Sequence, residues 1–191
     1  MTPHRSNRRL VSLGLTIALV CFLADQATKA WALSALEVGD YHPILGTYFG
    51  LRLVYNSGAA FSLGASVTWV FTGFALVCVI GGVYALTRLR HRSWAITVGI
   101  LLGGAAGNLV DRLFREPSFG QGHVVDFLSY SSWFVGNVAD IFIVGAGVLL
   151  AFLSFTSDPK DRAGVEVAPE GVAVATDSVV GSFGGETPDE Q

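Results

Sequence analysis

Charge is scarce in this chain: 14% of its 191 residues are charged, whereas 51% are hydrophobic, and the mean hydropathy is +0.53. A soluble domain carries about 25% charge. The deficit argues against a water-soluble enzyme and against a basic nucleic-acid binder. Cysteine is equally sparse. Cys21 and Cys78 exclude a disulfide-rich secreted scaffold, and each lies in an apolar run where a buried, inert thiol is expected. Two cysteines and four histidines leave no thiolate metal cluster, and no metal or cofactor is called for. Internal repeats, a P-loop, a Rossmann glycine set, a His-Glu-x-x-His motif and coiled-coil heptads are all missing.

What is there is long apolar stretches. A membrane helix needs about 20 mostly apolar residues. Four spans fit, over about residues 10–30, 67–87, 94–113 and 136–155, and only the second is free of polar interruption. The first reads as a retained anchor and not as a cleaved signal peptide, because no small-x-small site leads into a soluble body. Basic residues mark one side of the membrane: Arg5, Arg8 and Arg9 before span one, Arg88, Arg90 and Arg92 between spans two and three, and Lys160 and Arg162 after span four. The positive-inside rule makes that side cytoplasmic, with both termini there. Trp31, Trp69, Trp94 and Trp133 fall near the expected interfaces. Residues 31–66 and 114–135 then lie outside. Pro43, Gly46 and Gly50 punctuate the first of these, and 48–55 and 124–130 each read as a short strand, which together suggest a small outer sheet. The expected organisation is a cytoplasmic N-terminus (1–9), a four-helix membrane domain (10–155) and an acidic cytoplasmic tail (156–191). The tail holds eight acidic and two basic residues and reads as disordered.

The polar residues fall in one layer. Asp25, Asn56, Asn108, Asp111, Arg112, Asp126, Asn137 and Asp140 all map to the outer ends of spans or to the outer loops. Ionisable groups in a membrane are costly and face protein or water, so such a layer is a candidate site. Asp25 and Lys29 are spaced i,i+4 and can pair on one helix face. Asn108, Asp111 and Arg112, at i, i+3 and i+4, share a face as well, and Asp111 beside Arg112 reads as an internal salt bridge of span three. Asn137 and Asp140 share a face at the start of span four. Gly99, Gly103 and Gly107 form a small-residue stripe for close helix packing. Two carboxylates can hydrolyse a peptide bond without a metal: one, ionised, takes a proton from water while the other, protonated, polarises the carbonyl. Asp25, Asp111, Asp126 and Asp140 are the candidates, and spacing does not choose between them. Asp140 is the hardest to explain structurally, having no basic partner on its own helix. His123 reads as an ordinary interface histidine.

Five blocks carry a resemblance: Asp25-Gln26-x-x-Lys29; Asn56-Ser57-Gly58-Ala59-Ala60-Phe61-Ser62; Gly103-Gly104-Ala105-x-Gly107-Asn108-x-x-Asp111-Arg112; Gly122-x-Val124-Val125-Asp126-Phe127; and Asn137-x-Ala139-Asp140. In order, and on one side of the membrane, they resemble the bacterial lipoprotein signal peptidases (signal peptidase II). The resemblance implies a polytopic all-α membrane protein with four transmembrane helices, a small extracytoplasmic sheet and a short interfacial helix. It implies an aspartic endopeptidase with Asp126 and Asp140 catalytic. Asn56, Gly107, Asn108, Asp111, Arg112 and Asn137 would support or bind substrate, and Asp25 and Lys29 would form a structural pair. The implied substrate is a prolipoprotein carrying diacylglycerol on a cysteine, cut just before that cysteine, and the implied inhibitor is the cyclic peptide globomycin. Membrane lipids are expected partners, nucleic acid is not, and a monomer is expected.

Two other readings compete. A small proton-coupled transporter also uses intramembrane Asp and Arg, but it needs polar groups near the midplane and often a repeat. A purely structural subunit would tolerate loss of Asp140.

Overall fold

The computed structural model describes residues 3–58 and 68–156. The acidic tail and residues 59–62 of the second sequence block lie outside these. Among the described residues, four helices are long and apolar enough to cross a membrane: α1 (Pro3–Ala35), α2 (Thr68–Arg88), α3 (Arg92–Phe114) and α4 (Val138–Thr156). At one end of this bundle lies an antiparallel sheet of β1 (His42–Leu45), β2 (Phe49–Asn56), β3 (Val124–Tyr130) and β4 (Phe134–Gly136), in that spatial order.

The glycine stripe explains how the bundle packs. A Cβ on Gly99 would stand 2.5 Å from the Gly14 carbonyl oxygen, and one on Gly103 would stand 2.5 Å from that of Ala18. On the next face, a Cβ on Gly104 would stand 2.7 Å from the Ala139 oxygen of α4. Backbones this close need residues without side chains. α3 is therefore the buried hub, with α1, α2 and α4 around it. Ala18, Leu86, Leu89, Trp94, Ala95, Val98 and Leu102 form a core at the end away from the sheet. The outer helices turn Leu19, Phe74, Ile80, Val144 and Phe152 outward, an apolar surface suited to lipid. Gly99→Ala is expected to destabilise by about 1–3 kcal/mol, the scale of an overpacked core. The check is a lowered midpoint of thermal unfolding in detergent.

Several expectations need correcting. α1 continues to Ala35 instead of ending near residue 30, because residues 31–35 contain no glycine or proline to stop it. Residue 136 belongs to a strand, so the fourth helix begins at Val138. β3 coincides with the strand read at 124–130, whereas β1 and β4 were not anticipated. Pro43 lies within β1, which a sheet edge tolerates because no ladder donor is needed there. Three-residue β4 is too short to show a period. The short interfacial helix is not tested, since residues 59–67 lie outside the described ones. Trp94 is buried instead of lying in an interfacial belt, while Trp31, Trp69 and Trp133 are exposed. Cys21 is buried as expected, but Cys78 is exposed.

Candidate active site

The site forms where α4 begins. Asn137 precedes the first turn, and its Oδ1 accepts the Asp140 backbone N–H at 3.1 Å. Asp140 Oδ2 in return accepts the Asn137 N–H at 3.1 Å. This is a reciprocal N-terminal cap, with Asn and Asp in the places of the usual Ser/Thr and Glu/Gln. Asp25 adds to it from α1, its Oδ1 accepting the Ala139 N–H at 3.0 Å. The exposed donors and positive dipole end of α4 favour carboxylates at this point.

Asp126 reaches the same place from the sheet. It lies on β3 opposite Val54 of β2 and is only 1% exposed. Asn56 Nδ2 donates to its Oδ2 at 2.8 Å, and Asn137 Nδ2 donates to its Oδ1 at 2.5 Å. Asn137 thus holds Asp126 with its side chain and Asp140 with its backbone. Burial pushes the Asp126 carboxyl up to about 7; the Asn56 hydrogen bond opposes this, the negative charge of Asp140 adds to it, and Asn137 and Lys29 oppose it.

Beneath the two aspartates lies a buried ionic network. The Lys29 ammonium, 0% exposed, contacts Asp25 Oδ2 at 2.8 Å, Asp111 Oδ2 at 2.9 Å and Asn108 Oδ1 at 2.9 Å. These contacts set the orientation of the Asn108 amide: its oxygen faces Lys29 and its nitrogen donates to Asp140 Oδ1 at 3.0 Å. Asn137 Nδ2 also donates to Asn108 Oδ1 at 3.2 Å. Gly107 leaves room for this arrangement, since a Cβ there would collide with the Asp25 carboxylate. The Gln26 side chain donates to the Gly107 carbonyl at 3.2 Å and to Asp25 at 3.1 Å.

The i,i+4 pairing of Asp25 with Lys29 agrees with the spacing. Asp111 does not pair with the adjacent Arg112. Its partners are Lys29, Arg115 at 2.6 Å and the Val125 N–H at 3.2 Å, which tie α3 to β3. Consecutive helical residues diverge by about 100°, whereas Arg115 lies one turn along on the same face. Arg115 and Gln26 were thus missed as network members, and the i+4 spacing from Asp111 was the available signal for Arg115. Arg112 stacks over Phe71, 5.6 Å from its ring centroid, and its Nη1 has no hydrogen-bond partner among the described residues. His123 lies apart, in a groove with Leu33, Tyr55, Phe114, Arg115 and Glu116.

Among the described residues, two clefts open onto the carboxylates. One of about 470 Å³ runs along α4 to Asp140, and one of about 320 Å³ lies over the sheet beside Asp126. A groove of about 590 Å³ between Arg8, Leu15 and Thr87 is at the far end of the bundle and does not touch them.

A multi-pass bundle whose polar layer joins a buried aspartate, Asp126, to a half-buried one, Asp140, through a shared asparagine is the architecture of a membrane-embedded protein with a candidate site at one helix end. The comparisons with known proteins sharpen that class. Residues 17–156 match the family model described as signal peptidase (SPase) II. A lipoprotein signal peptidase of Mycolicibacterium smegmatis is 43% identical over 182 residues, covering 93% of this chain and 76% of that one. Those of Mycobacterium avium and Rhodococcus jostii are each 45% identical, covering 85% and 86% of this chain and 89% and 83% of theirs. A bacterial membrane enzyme solved at 1.9 Å superposes with a TM-score of 0.65 at 22% identity, over 76% of this chain and 94% of that one. A second, solved at 2.3 Å, gives 0.64 at 25% identity, over 78% and 92%. The chain belongs to the signal peptidase II family, and it is an aspartic-type membrane peptidase.

Proposed function

We propose that this protein removes the signal peptide from diacylglyceryl-modified prolipoproteins, cutting on the N-terminal side of the lipidated cysteine, with Asp126 and Asp140 as the catalytic pair. The observation that carries this reading is Asn137, which hydrogen-bonds both carboxylates and so fixes them side by side. Asp126, whose carboxyl burial pushes up to about 7, holds the shared proton, and Asp140 is the base. Asp140 takes a proton from water as the water oxygen attacks the scissile carbonyl carbon, and Asp126 gives its proton to the carbonyl oxygen. The tetrahedral intermediate returns that proton to Asp126 as the C–N bond breaks. The departing cysteine amine takes the proton held by Asp140, leaving a carboxyl on the signal peptide. Asn56 and Asn108 orient the aspartates, and Arg112, whose Nη1 has no hydrogen-bond partner among the described residues, is available to a substrate carbonyl.

The site lies at the extracytoplasmic face of the bacterial cytoplasmic membrane. This placement is supported by Arg8, Arg9, Arg88, Arg90 and Arg92, which collect at the end of the bundle opposite the sheet. The diacylglyceryl group and membrane lipid meet the protein along its apolar flanks, and globomycin is expected to compete for the same cleft. The polar layer sits at one end of the bundle and not at its midplane, which disfavours the transporter reading.

The decisive assay is hydrolysis of a synthetic lipidated precursor by purified protein, with the bond cut identified by mass spectrometry. No cleavage, or cleavage elsewhere, would overturn the reading. The pH profile gives a further check. The shared proton is lost as pH rises through the Asp126 value, so kcat/KM should fall on the alkaline side near pH 7. Asn56 stabilises the charged carboxylate, so Asn56→Ala should move that alkaline limb to higher pH. It should also lower turnover about tenfold, the scale of one hydrogen bond to a charged group. Unchanged turnover and an unmoved limb would remove Asn56 from the site.

A further inference from the structure

Two clefts reach the aspartates from different sides, and one side chain lines both. The first is lined by Ile141, Val144 and Gly145 of α4 with Tyr130, and it ends on Asn137 and Asp140. The second is lined by Val54, Tyr55, Asn56, Ser57, Trp133 and Val135, and it ends on Asp126. Phe134 borders each of them. Its ring is braced by a row of aromatics from three strands: it stacks on Tyr130 at 6.0 Å and 22°, and Tyr130 lies 5.3 Å from Phe49. On its other side is a glycine. A Cβ on Gly136 would stand 2.6 Å from Phe134 Cε1 and 2.7 Å from Asp140 Oδ2, so ring edge and carboxylate meet over the bare backbone.

We propose that Phe134 is the specificity-determining wall of this peptidase: it assigns the diacylglyceryl group to the α4 cleft and the polypeptide to the cleft over the sheet. The proposal rests on the peptidase reading above. The chemistry of the two clefts differs in the required sense. Ile141 and Val144 are exposed on the outer surface of α4, so acyl chains can enter without leaving hydrocarbon. Asn56 and Ser57 offer the sheet-side cleft hydrogen-bonding groups for a peptide backbone. A braced ring between them stops the polypeptide sliding into the apolar cleft, and it keeps the lipidated cysteine at the boundary where Asp140 lies. A chain without lipid leaves the α4 cleft unfilled and gains none of that burial.

The test compares wild type, Phe134→Ala and Val144→Trp on three synthetic precursors whose cysteine carries long-chain diacylglycerol, dibutyrylglycerol or no lipid. Phe134→Ala is expected to lower the ratio of kcat/KM for lipidated over unlipidated precursor about tenfold or more, mainly through KM. Val144→Trp fills the acyl cleft from the lipid-facing surface without disturbing the sheet. It is expected to raise KM for the long-chain precursor about tenfold more than for the dibutyryl one. An unchanged lipid preference in Phe134→Ala, a kcat loss equal for all three precursors, or a Val144→Trp effect independent of chain length would overturn the wall. Failure of wild type to cut any precursor would instead overturn the peptidase reading.

Discussion

Asparagine in place of Asp126 or of Asp140 is expected to abolish cleavage, by about 10³-fold or more in kcat, while the protein still inserts and folds. The size follows from removing a positioned acid or base from a reaction that depends on proton transfer at two atoms. Retention of the fold follows from the geometry. Asp126 accepts one amide donor on each oxygen, from Asn56 and Asn137. An asparagine there keeps one acceptor and swaps the other for a donor that faces one of those amides, a loss of about one hydrogen bond. Asp140 accepts from Asn108 on one oxygen and from the Asn137 backbone on the other, so its asparagine variant keeps the cap with its oxygen towards the backbone. The measurement is hydrolysis of the lipidated precursor at matched amounts of folded protein. Activity within tenfold of wild type in either variant would remove that residue from the catalytic pair.

Lys29→Met is expected to produce the largest loss of stability of any single change in the polar layer. Lys29 is fully buried and compensates two fully buried carboxylates, Asp25 and Asp111. Removing one partner of a buried ion pair costs about 3–5 kcal/mol, because the charge left behind has neither water nor a counter-ion. Here Asp111 keeps Arg115, whereas among the described residues Asp25 keeps only the Ala139 N–H and the Gln26 amide. Asp25 therefore bears most of the penalty, and adding Asp25→Asn to Lys29→Met should recover part of the lost stability. Activity should fall as well, since the Asn108 amide loses the charge that turns its nitrogen towards Asp140. Thermal unfolding in detergent, with yield of the folded protein, reads the effect. A single variant as stable as wild type, or a double variant less stable than Lys29→Met alone, would show that the pair does not hold the layer.

The membrane architecture was legible in the sequence because hydropathy over about 20 residues is a local property and the bilayer is a uniform solvent. The same holds for the Asp25–Lys29 pair and for Asn137 with Asp140, whose spacings bring both members to the same side of one helix or of its start. The glycine stripe on α3 was readable as a packing surface, although its partners were not. Pairings across elements were not readable. The sequence offers Arg112 as the neighbour of Asp111, whereas the fold supplies Lys29 from a helix 82 positions earlier. β1 and β4 escaped notice because their hydrogen bonds come from neighbouring strands and their own residues carry too little pattern.

By itself the sequence determined the four apolar spans, the polar layer and the short set of aspartates from which a proton-exchanging pair could be drawn. Which carboxylates face each other was decided only by tertiary structure. Asp126 comes from a strand and Asp140 from a helix, and they meet because the sheet docks on the end of the bundle and Asn137 binds both. Burial at that junction also sets how readily Asp126 holds a proton. Desolvation depends on everything packed around a group, and that surrounding is written nowhere in the residues next to it.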